Sequence, residues 1–257
     1  MNNNIAFCSI SAGSGKTTII IAIIDLLKKR GINLYPLKPI AITSETELIE
    51  EFTVPWSLYA QVKQSNYDYM PIFNHILLKP LDSTEPDVIF DEKLYEVYYK
   101  GKKDREILGK YYKEYESKYV DEIMKDLSIH TGWCLETTGD ISSDKLKLNL
   151  KIAKVFGFRM ILVIDVNEPI KEDKIERALD YLYLNNILVN GAILTKYYSE
   201  TYIEDYRKFL NIRNIQIIGK IPMYSQMIDS SEELFDEWSN FVLDRIDLES
   251  IINMITY

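Results

Sequence analysis

Histidine and cysteine are scarce in this chain, with two of each among 257 residues. They form no cluster of the kind that holds zinc, so a zinc site is not expected. Cys8 and Cys134 lie in apolar runs that read as buried strands, which makes packing their expected role. Long apolar runs are missing too. The longest, residues 18–27, is too short to cross a bilayer and ends in Lys28, Lys29 and Arg30. Residues 1–4 carry no positive cluster, so no signal peptide is expected and a cytoplasmic location is. Positive charge is outnumbered, with 30 Lys and Arg against 39 Asp and Glu and a net charge of −9. Neither a nucleic acid nor a membrane is therefore an expected partner. Internal repeats, low-complexity tracts and obvious linkers are also absent.

What remains is a chain long enough for one large hydrophobic core. Apolar strand-like runs at residues 4–10, 33–39, 131–136, 160–166, 189–195 and 215–218 alternate with helix-period segments at 16–30, 145–156 and 171–185. Gly31 and Gly157 close two of those helices. Alternation of this kind predicts an α/β fold, a doubly wound and mainly parallel sheet of about six or seven strands flanked by helices, in one domain over residues 1–257. The polar stretch 65–127 is expected to be a helical or hairpin flank. Residues 58–64, just before it, and 69–78, inside it, read as helical or mixed. Residues 87–89 and 95–99 read as short strands, and residues 104–127 as one long helix whose tyrosines form a packing face. Residues 228–257 hold acidic amphipathic helices that either pack on the sheet edge or form a homodimer face.

The strongest local signal follows the first strand: Ser11-Ala12-Gly13-Ser14-Gly15-Lys16-Thr17-Thr18, between an apolar strand and an apolar helix. Small residues let backbone N–H groups curl around an anion, and the helix after Gly15 directs its positive end at it. Lys16 would reach the β- and γ-phosphates, and the Thr17 hydroxyl would ligate magnesium. The expectation is a P-loop NTPase that binds ATP and Mg2+. A second metal group is expected at a strand's carboxyl edge, where Glu136 and Asp165 stand.

The order of motifs resembles the synthetase domain of cobyric acid synthase, within the wider group that contains dethiobiotin synthase. The likeness runs from about Asn4 to Met223. After the loop come Pro36-Leu37-Lys38-Pro39, Tyr59-Ala60-Gln61 and Asn74-His75-Ile76-Leu77-Leu78-Lys79-Pro80, the last similar to the family's Asn-Pro-Val-Leu-Leu-Lys-Pro. Glu136-Thr137-Thr138-Gly139 stands where the family has Glu-Gly-Ala-Gly, and Ile218-Gly219-Lys220-Ile221-Pro222 matches Leu-Gly-x-x-Pro. The resemblance implies an ATP- and Mg-dependent ligase that activates a carboxylate as an acyl phosphate and forms an amide. The family substrate is a corrinoid in cobalamin synthesis. It implies Lys16, Lys38 and Glu136 as catalytic residues, Gln61 and Asn74 on the substrate side, and Thr195-Lys196 where an Asn-Arg pair serves the base.

The chain also departs from that pattern. Ser9 replaces the first loop glycine, and Gly13 stands where the family carries an Asp. Asn167-Glu168-Pro169 replaces Arg-Gly-Gly. No Cys–His–Glu glutaminase is expected after Met223, so ammonia would come from solution or a separate glutaminase subunit. Three other readings stay open: a dethiobiotin synthase-like carboxylase, a nucleotide-switched regulator of the partition-ATPase type, and an inactive ATP-binding relative. Partition-type loops usually carry a lysine where this chain has Ser11.

Overall fold

The computed structural model describes residues 3–11, 13–81, 92–138, 147–167, 171–223 and 232–256. Strand β1 (Ile5–Ser9) is buried at every position. Side chains alternate along a strand, so Ala6 and Cys8 enter one core while Ile5 and Phe7 enter the other. A strand buried on both faces belongs in the middle of a parallel sheet. β1 lies there, between β9 (Trp133–Glu136) and β10 (Arg159–Asp165) and parallel to both. With β2 (Tyr35–Leu37), β11 (Val189–Tyr197) and β12 (Ile217–Pro222) it forms a six-stranded parallel sheet in the order β12-β11-β10-β1-β9-β2.

Helices cover both faces. On one side lie α1 (Lys16–Lys29), α7 (Glu232–Leu243) and α8 (Leu248–Thr256). On the other lie α3 (Tyr112–Leu127), α4 (Lys147–Val155), α5 (Glu172–Leu184) and α6 (Glu200–Ile212). α1 ends as its glycine requires: Gly31 takes φ 77° and its N–H donates to Lys28 O at 2.9 Å. The C-terminal helices sit on α1 and the outer strand. Trp238 Nε1 donates to Thr18 O at 2.7 Å, and Asp247 N to Ile218 O at 2.7 Å. Cys8 and Cys134 are buried and unbridged. Burial pushes the Cys8 thiol up to about 12 and also raises that of Cys134, so both are packing groups and not nucleophiles.

The flank differs from expectation. Residues 69–78 form a 3₁₀ turn at Pro71–Phe73 and part of strand β6 (Ile76–Pro80). Residues 104–127 divide between strand β8 (Lys102–Leu108) and helix α3. The cause is the turn before them. Lys100 and Gly101 take φ of 50° and 78°, the paired positive values of a two-residue hairpin. β8 therefore folds back along β7 (Leu94–Tyr99). Its charged residues suit an exposed edge strand, but they read as a polar helix in isolation. β3 (Ile40–Ile42) completes a second sheet, in the order β3-β6-β7-β8. The hairpin of β4 (Thr46–Ile49) and β5 (Phe52–Pro55) precedes helix α2 (Trp56–Gln64). β3, this hairpin and α6 were not anticipated. The strand expected at residues 87–89 lies outside the described residues. Tyr115 and Tyr112 are buried, and Tyr119 stacks on Tyr99 at 4.1 Å, so the tyrosine face is packing.

Gly101 is where the flank meets the β4–β5 hairpin, because an added Cβ would lie 2.8 Å from Phe52 Cβ. Gly101→Ala is expected to destabilise the protein by about 1–3 kcal/mol through its positive φ and this clash. Urea denaturation checks it, and an unchanged midpoint would show that the turn relaxes without cost.

Candidate nucleotide-binding site

β1 stops at Ser9 and α1 starts at Lys16, so the loop between them sits at the carboxyl edge of the sheet. Gly13 and Gly15 take φ of 72° and 86°, conformations that favour glycine. Gly15 is the N-cap of α1, and no side chain caps the helix, which leaves its positive end suited to an anion. Lys16 Nζ donates to Ser9 Oγ at 2.5 Å, and Ser9 Oγ donates to Ser11 O at 2.9 Å. The serine in place of the first loop glycine thus holds the loop lysine. Thr18 turns back to its own helix, its Oγ1 donating to Gly15 O at 2.9 Å. Ala12 lies outside the described residues.

Glu136, at the end of β9, draws the surrounding elements together. Thr17 Oγ1 of α1 donates to its Oε1 at 2.8 Å. Lys38 Nζ, just after β2, donates to the same oxygen at 2.6 Å and to Ser57 Oγ at 2.8 Å. Gln61 Nε2 of α2 donates to Oε2. Burial alone would raise the Glu136 pKa, but the Lys38 and Lys16 ammonium groups and these hydrogen bonds outweigh it, and the net shift is downward. Glu136 is therefore a buried carboxylate that stays ionised. Its Oε1 and Thr17 Oγ1 are hard oxygen donors 2.8 Å apart. Among the described residues no group of three or more His, Cys, Asp and Glu could hold a metal. Magnesium fits such a pair, because it takes one or two protein oxygens and completes its shell with phosphate and water.

A cavity of about 370 Å³ opens beside this cluster. Its lining includes the loop from Gly13 to Thr18 with Lys38 and Glu136, and also Thr43, Glu45, Trp56 and Ser57. Several expected site residues are elsewhere. Gln61 and Asn74, placed on the substrate side by resemblance, hold protein groups: Gln61 backs Glu136, and Asn74 Nδ2 donates to Lys38 O at 2.6 Å. Asp165 faces Lys196 at 3.4 Å, and it is not among the lining residues. Thr195 and Lys196 reach the loop backbone, with Thr195 Oγ1 donating to Ser14 O at 2.8 Å and Lys196 Nζ to Gly13 O. Ser57, Thr43, Glu45 and Trp56 were missed. Pro55 before Trp56-Ser57 is a helix-start signal that could have placed Ser57 in the first turn of α2.

A phosphate loop leading from a central parallel strand into a helix, with strand-end charges converging on it, defines a P-loop nucleotide-binding protein. Residues 5–234 match the model of the CobQ/CobB/MinD/ParA nucleotide binding domain, and the chain belongs to that family. It is 26% identical over 232 residues to a probable cobyric acid synthase of Methanococcus maripaludis, covering 87% of this chain and 46% of that protein. It is 25% identical over 240 residues to cobyric acid synthase of Clostridium perfringens, covering 90% and 47%. The chain thus spans about half the length of the curated relatives it matches. Among solved structures, the MinD cell division protein of Aquifex aeolicus shares the fold, with a TM-score of 0.50 and 17% identity over 98% of this chain and 94% of that one.

Replacing Glu136 removes the buried carboxylate that pairs with Lys38 and is favoured by the nearby Lys16 ammonium. Glu136→Gln is expected to cost about 3–5 kcal/mol of stability at neutral pH. Because the folded pKa of Glu136 is depressed, its contribution is full above the ordinary carboxylate range and is lost as pH falls through the folded value. The gap between wild type and E136Q should therefore narrow on acidification. Denaturant unfolding from pH 7 to pH 3 measures it, and a gap constant with pH would mean that Glu136 is not ionised.

Proposed function

We propose that the chain is an ATP- and magnesium-dependent ligase that activates a carboxylate as an acyl phosphate and converts it to an amide. One observation carries this reading: Lys38 bridges Glu136 and Ser57 at the junction of the phosphate loop and the rest of the cavity. An ammonium has three N–H donors, and two are used here. The third suits a carboxylate oxygen of an acceptor lying against Ser57 and Trp56.

The chemistry follows from position and charge. The loop N–H groups and Lys16 would hold the triphosphate, and magnesium on Thr17 and Glu136 would neutralise its β- and γ-oxygens when bound. An acceptor carboxylate oxygen then attacks the γ-phosphorus while the bond from that phosphorus to the ADP oxygen breaks. Lys38 holds the attacking oxygen in line and offsets the charge of the two anions that meet. Ammonia attacks the acyl carbon, loses a proton, and inorganic phosphate leaves. Phosphoryl transfer of this kind asks the protein for positioning more than for a covalent group, which agrees with buried cysteines that take no part. The names of the curated relatives support a corrinoid polycarboxylate as the acceptor class. Ammonia would come from solution or from a separate glutaminase subunit.

The test follows ADP release and product mass together, with Mg–ATP, in the presence and absence of cobyrinic acid diamide and ammonium. ADP release that tracks the mass change of amide formation is the expected result. ATP binding without acceptor-stimulated ADP release would overturn the ligase reading. Lys16→Ala should weaken ATP binding by about 10- to 100-fold, the effect of one charge-assisted hydrogen bond, and abolish turnover. Titration calorimetry and the same assay measure both, and unchanged affinity would remove Lys16 from the phosphate site.

A further inference from the structure

We propose that Thr195 and Lys196 are positioning residues of the phosphate loop, holding two successive loop carbonyls outward so that the following N–H groups face the bound anion. The inference rests on the reading of this loop as a phosphate site, and it departs from a role for the pair in binding the base. Thr195 Oγ1 donates to Ser14 O at 2.8 Å, with Ile164 O a longer 3.2 Å away. Lys196 Nζ donates to Gly13 O and lies 3.4 Å from Asp165 Oδ2. In a trans peptide the C=O of one residue and the N–H of the next point in opposite directions. Holding the Gly13 carbonyl therefore turns the Ser14 N–H away from Lys196. Holding the Ser14 carbonyl turns the Gly15 N–H away from Thr195. Gly13, Ser14 and Gly15 all line the cavity, so these N–H groups form the anion-binding concavity of the loop.

The backbone of β11 is distorted in a way that this role explains. Consecutive strand residues point to opposite faces, yet Thr195 and Lys196 reach the same loop. Thr195 pairs with Ile221 and Tyr197 with Pro222, so Lys196 is the extra residue of a β-bulge. Its φ is 56°, a left-handed value that a lysine rarely adopts. The bulge re-aims the lysine onto Gly13 O. Asp165 stands at the adjacent strand end, paired in register with Thr195, and its Oδ1 accepts from Asn167 N at 3.1 Å. That bond fixes the carboxylate which steadies the ammonium. Asp165 thereby serves the loop through Lys196, in place of a direct metal contact.

Tripolyphosphate, which has neither base nor sugar, separates the two roles. Its affinity, with those of ATP and GTP, is measured by titration calorimetry on the full chain. Thr195→Val is expected to weaken tripolyphosphate and ATP equally, by about tenfold, the effect of one lost hydrogen bond. Thr195→Ser should restore both. Lys196→Gly keeps the left-handed backbone, so its thermal midpoint should not fall, while tripolyphosphate affinity should drop by a similar factor. Unchanged tripolyphosphate affinity in T195V and K196G, whether or not the ATP-to-GTP preference changes, would overturn the inference. If wild type binds neither tripolyphosphate nor ATP, the phosphate-loop reading fails first and this one with it.

Discussion

The structure around the site depends on one buried carboxylate. Glu136 accepts from Thr17 on the first helix, Lys38 beyond the second strand and Gln61 on the second helix, so a single charge ties together three elements distant in sequence. A buried carboxylate is costly unless it is paired and hydrogen-bonded, and here Lys38 and Lys16 meet that cost. Lys16 and Lys38 share the cavity lining with Glu136 and Glu45, so the charged groups there are balanced in number.

A second layer of control comes from the opposite side of the loop. Ser9 receives the Lys16 ammonium at the end of β1, while Thr195 and Lys196 hold backbone carbonyls from the end of β11. All these groups stand at carboxyl ends of parallel strands, where the sheet opens a crevice. Three departures from the family pattern thus fall together. The serine, the threonine and the lysine each contact the loop that they surround. Gln61 and Asn74 behave in a related way, because they brace Glu136 and the Lys38 backbone and do not face the cavity.

The flank shows why a polar segment is hard to read. Lys102 to Glu106 are charged, and in sequence they continue smoothly into the helix that follows. Their strand state is decided by the positive φ pair at Lys100 and Gly101 and by pairing with β7, which is itself paired to β6. A short strand is stabilised by its neighbours more than by its own residues. The β3 strand and the β4–β5 hairpin are shorter still, at three or four residues each, too short for a periodic signal.

The sequence by itself determined the parallel α/β class, the central apolar strand, the glycine turn through Gly13 and Gly15, and the helix from Lys16 with its Gly31 stop. Each of these is local: apolar period, glycine conformation and helix-end chemistry are written within a few consecutive residues. Tertiary structure alone decided what Glu136, Gln61, Asn74, Asp165, Thr195 and Lys196 touch. Most of their partners lie tens to more than a hundred residues away, and a bulge at one residue is enough to turn a side chain from one face of a sheet to the other. Distance in sequence carries no record of which carbonyl a buried hydroxyl will find. Packing of the strands that carry both groups supplies it.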